Sequence, residues 1–384
     1  MTTSTTAPNA EWSLLLAACS TNRAPHAYSG PALKESVRWD ALLELADQHG
    51  LTPLLYRSLS QENNFPASVV AHLRQRNQTN LYKSLLIARE MIRVIDRLAA
   101  ENIEAMPYKG AALAESMYGD IALRQSGDID LLIHSKDFLR IKNILAEIGY
   151  TPHLSLTSRE ESAYLSSGYE CAFDSAAGRN LLEVQWAIQP RFYAVDLDTD
   201  ELFRRAANVT VAGRRMKTPS PEDLLIILSV HAAKHAWERL IWLCDIAQIM
   251  KLPGLNWDAV EDQSRFLGVV RILRITLLLA KRLLATDLPE TIQNIANADG
   301  TATSITDEIY NGIISETKWN AESLAYFRLM LRVRERRADR LKFLRRLILT
   351  PGPGEWKAVP LPAPLFPLYR LVRLSRLAVR LSRA

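Results

Sequence analysis

Asp128 and Asp130 stand one residue apart in "GDIDLLI", with Ile129, Leu131, Leu132 and Ile133 around them. On a β-strand alternate side chains point to opposite faces, so the two carboxylates share one face and Ile129 and Leu131 the other. Like charges in an apolar strand are costly unless a cation or a basic side chain sits between them. Oxygen donors with few carboxylates suit magnesium, which completes its shell with water and substrate phosphates. Two such ions about 3.5–4 Å apart can clamp the entering and leaving oxygens of a phosphoryl transfer. A third carboxylate from a neighbouring strand is then needed, and Glu183 in "NLLEVQWAI" is the best candidate. The plainer reading is an Asp-x-Asp at a strand edge, paired with Arg124 or Lys109.

Lys109-Gly110 follows a short apolar run and opens a helical stretch. A glycine at such a turn lets backbone approach a phosphate, and a helix N-terminus favours negative charge. Lys109 adds a point charge there. Farther on, His231 and His235 share a helix face at four-residue spacing, with Lys234 beside them. Ala232 follows His231, so the glutamate of the zinc-protease motif is missing. The three side chains either bind phosphate or form an interhelical pair, with Asp245 as a candidate partner. Asp245 sits in the apolar "IWLCDIAQIM" and wants a cation: His231, His235 or Arg239. Trp186 and Trp242 suit stacking on a base or packing in a core.

The elements that must hold these residues fall into a helical, α/β, helical order. Residues 1–100 read as helical, including one amphipathic helix over 80–103. Residues 101–218 alternate short apolar runs with helical ones, which is an α/β signature. Strands are expected at 103–108, 128–133, 169–174 and 180–188, helices at 110–118 and from Ser135 to Ile148, and a hairpin near 209–218. Residues 219–349 return to helix, with Ser220 as cap, Pro221 in the first turn and Glu222 and Asp223 against the dipole. Residues 350–384 combine a proline-rich break with the basic amphipathic "LYRLVRLSRLAVRLSRA". The expected fold class is α+β, a small mixed sheet between helical regions.

The chain has 384 residues, 48% hydrophobic and 23% charged, ample for a sizeable core. No stretch is long and apolar enough to span a membrane, and the first residues lack the pattern of a signal peptide. Cys19, Cys171 and Cys244 have no paired spacing, which points to a reducing, cytoplasmic setting. Net charge is +5, yet residues 331–384 hold fourteen Lys/Arg against Glu335, Asp339 and Glu355. A basic end on a mildly acidic body suits an anionic partner or a membrane surface. Nucleic acid is less well signalled, because aromatic residues are sparse among those arginines.

The 108–133 block resembles the nucleotidyltransferase superfamily, of the DNA polymerase β type, and more closely the family of uncharacterised nucleotidyltransferases. Lys109-Gly110, Arg124 and Asp128-Ile129-Asp130-Leu131-Leu132 carry the likeness, with Glu183-Val184-Gln185-Trp186, His231, His235 and Trp242-Leu243-x-Asp245 farther on. The resemblance implies transfer of a nucleoside monophosphate from a triphosphate, ATP first, to a hydroxyl or phosphate acceptor on a small molecule, peptide, protein or RNA. It implies two magnesium ions, with manganese as substitute, on Asp128, Asp130 and Glu183. Lys109, Gly110, Arg124, Ser126, His231, Lys234 and His235 would bind the nucleotide. Two departures stand out: Ala111 follows Gly110 where better-known relatives have serine or a second glycine, and Gln185 replaces a frequent histidine. They keep open a catalytically degenerate binding or accessory protein in peptide or polysaccharide tailoring.

Overall fold

The computed structural model describes residues 7–22, 37–62, 65–176, 181–320 and 323–383. Among the described residues three short helices, Ala10–Cys19 (α1), Trp39–Gln48 (α2) and Thr52–Leu59 (α3), precede the 33-residue Ala67–Ala99 (α4). The sheet region runs Ala105–Pro107 (β1), Gly110–Tyr118 (α5), Asp128–Ile133 (β2), Phe138–Glu147 (α6), Tyr150–Pro152 (β3), Ser158–Ser167 (α7), Glu170–Ser175 (β4) and Leu181–Gln185 (β5). Thr199–Arg204 (α8) leads to a separate hairpin, Ala207–Val211 (β6) and Arg214–Thr218 (β7). Nine helices follow among the described residues before the last one. These are Pro221–Lys234 (α9), Leu240–Met250 (α10), Trp257–Leu267 (α11), Val270–Leu284 (α12), Glu290–Ala298 (α13), Gly300–Ile314 (α14), Leu324–Arg332 (α15), Arg337–Leu349 (α16) and Pro353–Ala358 (α17). Tyr369–Arg383 (α18) ends the chain.

The five-stranded sheet has the order β1-β2-β5-β4-β3 and is mixed: β2 and β5 are parallel, the other pairs antiparallel. Its apolar face carries Ile129, Leu131, Leu182, Val184 and Phe173, which pack with Ile87, Met91 and Val94 of α4 and Ile141 and Leu145 of α6. Burying each such side chain contributes about 1.5–3 kcal/mol, which locks the pleat and so fixes where the alternate residues point. A second core joins α1–α3 to α9–α12, so helices far apart in sequence share one apolar interior. The amide of Thr21 bonds the Leu284 carbonyl at 3.0 Å across that junction.

The strands and helices agree with the expected α+β class, and β2 and α5 have the bounds read from the sequence. Other bounds shift. The long helix begins at Ala67 rather than Asn80, because Val69 and Leu73 are buried, Leu73 within the core that also holds α3. A 3-10 turn at Ser135–Asp137 precedes α6, and no side chain caps that helix. β3 was not expected; three residues are too few for a period to show. Ser220 does cap α9, its hydroxyl accepting from the Asp223 amide at 3.2 Å.

Candidate active site

Pairing of β2 with β5 sets Asp130 directly beside Glu183. Asp128 precedes Asp130 by two residues and therefore points to the same side. On the far side of β5, Glu170 of β4 pairs with Gln185, adding a fourth carboxylate to this face. The four acids open into a cleft of about 980 Å³ between the sheet, α4 and the α9–α10 corner. Lys109, Arg124, Ser126, His231, Lys234 and His235 line the same cleft. Gly110 opens α5 at a positive φ of 54°, the left-handed region that favours glycine.

Charge at the centre is only partly balanced. Lys109 Nζ lies 3.2 Å from Asp130 Oδ1. Gln185 Nε2 sits at 3.1 Å from Asp130 Oδ1 and 3.2 Å from both Glu170 Oε2 and Glu183 Oε2. Its Oε1 accepts from the buried Tyr108 hydroxyl. The opposite amide orientation would turn an oxygen on three carboxylates, so the chemistry fixes this one. Burial, then repulsion from Asp130, Glu170 and Asp128, pushes Glu183 up to about 8. Burial and Asp130 also raise Asp128, against the pull of Lys109 and Arg124. Burial opposes the charge on Lys109, but Asp130, Tyr108 and Glu183 together outweigh it and hold the ammonium protonated.

The α9–α10 corner differs from the sequence expectation. Asp245 is not the partner of the histidines. Its carboxylate accepts from Arg124 Nε at 3.0 Å and from the Tyr118 hydroxyl at 2.9 Å. His231 and His235 pack instead on Trp242, with ring centroids 5.0 and 5.3 Å away. Burial, followed by the charges of Lys109 and Lys234, pushes His231 well down; burial and Lys234 bring His235 to about 4. Both rings are thus neutral near pH 7 and offer N–H or lone pairs rather than charge. Lys234 lies over the Tyr169 ring, 4.9 Å from its centroid, and burial lowers it to about 8. Trp242 lines the cleft, whereas Trp186 is core.

Sequence reasoning did not identify one wall of the cleft. His72, Gln75, Arg76, Thr79 and Lys83 of α4 line it together with the acids. Their three- and four-residue spacing was legible, but nothing local says that this side of α4 meets the sheet. Glu170 and Tyr169 were equally hidden, because their place depends on the β4–β5 register.

The family model described as uncharacterised nucleotidyltransferase matches residues 35–285. The chain belongs to that family. The match takes in the Lys-Gly turn, Asp128, Asp130, Glu183 and the α9–α10 corner. No curated protein sequence matches the chain. Solved structures are similar at a distance. The solution structure of the antibiotic-resistance factor ANT(2'')-Ia is 16% identical, with a TM-score of 0.34, over 46% of this chain and 89% of that one. The same factor in complex with adenylyl-2''-tobramycin is 14% identical, with a TM-score of 0.29, over 52% and 97%. An antigenic nucleotidyltransferase-like protein from Paracoccidioides brasiliensis is 15% identical, with a TM-score of 0.31, over 58% and 91%.

Proposed function

We propose that this protein transfers a nucleoside monophosphate from a triphosphate, ATP first, to a hydroxyl or phosphate acceptor. The observation that carries the reading is the β2–β5 register, which sets Asp130 beside Glu183 with Asp128 on the same face of the cleft. Among the described residues no three His, Cys, Asp or Glu side chains form a ready metal cage. The donor set nevertheless fits a divalent ion: the donors are hard oxygens, and repulsion among the carboxylates adds to burial in raising Asp128 and Glu183. Asp128, Asp130 and Glu183 would hold magnesium or manganese, which supplies charge neutralisation at the phosphates and activation of the acceptor oxygen.

The remaining roles belong to the chain. The Gly110 backbone and the start of α5 receive a phosphate, and Ser126 donates a hydrogen bond to it. Lys109 balances the charge that grows as pyrophosphate departs. Arg124, steered by Asp245, adds positive potential from behind. Lys234 approaches the far side of the nucleotide, where His231 and His235 donate hydrogen bonds and Trp242 offers a stacking face. Glu183 takes the acceptor proton as the new oxygen–phosphorus bond forms and the bond to pyrophosphate breaks. Incubation with each α-labelled triphosphate, magnesium and a panel of acceptors tests this, with pyrophosphate release and added nucleotide mass as readouts. Activity equal in the parent and Asp128→Asn would overturn it.

One observation favours a second reading. Lys109 and Gln185 already place an ammonium and an amide among the carboxylates. A degenerate nucleotidyltransferase serving as a binding or accessory protein in peptide or polysaccharide tailoring would show that self-compensation. Calorimetry with ATP separates the two, since a scaffold of that kind gives no magnesium-dependent heat.

A further inference from the structure

The C-terminal helix α18 is docked the wrong way round for a helix that faces water alone. Amphipathic helices normally bury their leucines and expose their charges. Here Tyr369 is buried, and its hydroxyl accepts from the Leu361 amide at 2.9 Å. Arg373 donates to the Leu347 carbonyl of α16 at 2.5 Å, and both Arg373 and Arg376 pair with the buried Glu355 at 3.3 Å. Trp356 of α17 and Phe366, with centroids 5.8 Å apart, complete the seat. Leu368, Leu371 and Leu374 are left 42%, 61% and 40% exposed, in one stripe at three-residue steps. Leu341 and Leu344 of the neighbouring α16 are exposed too, at 67% and 39%.

Charge selects the occupant of this surface. The three acids of residues 331–384 are already engaged: Glu335 by the Arg271 amide, Asp339 by Arg336, and Glu355 by α18. Arg345 and Arg370 are exposed and make no ion pair among the described residues. A second copy would bring the same excess of arginine against this one, so self-association through the stripe is opposed. Leucines flanked by unpaired arginines match the boundary between acyl chains and acidic headgroups. We propose that α18 and the outer side of α16 dock the protein on an anionic phospholipid bilayer.

Flotation of the full-length protein with vesicles, in the absence of nucleotide, tests this and is independent of the transferase reading. Vesicles of phosphatidylcholine plus phosphatidylglycerol are expected to carry the protein, and those of phosphatidylcholine alone to leave it behind. Leu371→Glu/Leu374→Glu is expected to lower the vesicle affinity at least about tenfold. These positions face water, so its melting temperature should match the parent's. Arg370→Glu is expected to weaken binding about fivefold. The proposal fails if the acidic vesicles do not carry the parent, or if the double variant floats as well as the parent. It fails equally if light scattering reveals a dimer that the double variant dissolves while neither protein floats.

Discussion

Asp245 and the Asp128–Glu183 group are both carboxylates taken out of water, yet their surroundings differ in kind. Asp245 is fully buried and meets Arg124 with both oxygens and Tyr118 with one. Asp128 accepts no side-chain hydrogen bond among the described residues, and Glu183 shares one amide with Asp130 and Glu170. The first arrangement is complete without a ligand. The second keeps an excess of negative charge facing a cleft. Satisfied burial marks an architectural acid, and unsatisfied burial marks an acid that awaits a partner.

Substitutions break this contrast in opposite directions. Asp245→Ala strands the Arg124 guanidinium in the interior, and urea unfolding should record a loss of roughly 3–5 kcal/mol. Asp128→Asn should leave stability equal or slightly higher, because it removes a buried repulsion. The same change should lower the transfer rate about 10²–10³-fold in a pyrophosphate-release assay. A destabilised Asp128→Asn protein would erase the distinction. Gln185→Leu takes the shared donor from three carboxylates and removes the acceptor of the buried Tyr108 hydroxyl. A loss of about 1–3 kcal/mol in the same unfolding experiment is expected.

Acidity sharpens the comparison further. Glu183 is raised from 4.5 to about 8, so its stabilising contribution is present below pH 4.5 and is lost as pH rises through 8. The cation-free protein should therefore melt at lower temperature as pH climbs through that window, and Glu183→Gln should flatten the slope. Manganese must displace the Glu183 proton, so its affinity should rise up to about tenfold per pH unit and level off above 8. An affinity independent of pH between 6 and 8 would contradict the shift.

How much of this was readable from residues alone follows the range of each signal. Alternation in "DIDLLI" set the face of Asp128 and Asp130, and the Lys-Gly turn marked the start of α5. These are local patterns, two to four residues long. The partner of Asp245 was not local: Arg124 lies 121 positions away and competes on equal terms with nearer cations. The α4 wall was hidden for the same reason, since an exposed polar stripe looks alike over solvent and over a cleft. The outward turn of Leu371 and Leu374 contradicts ordinary patterning, and only the Glu355 and Trp356 contacts reveal it.

Nucleotidyl transfer by this protein would require Asp128, Asp130 and Glu183 to seat a divalent cation together. Manganese titration of the full-length protein at pH 8, followed by electron paramagnetic resonance with and without a non-hydrolysable ATP analogue, tests it most directly. Saturable manganese binding that the analogue tightens, and that Asp128→Asn abolishes, is expected. Manganese that stays free in the parent, or that binds Asp128→Asn equally well, would contradict the claim.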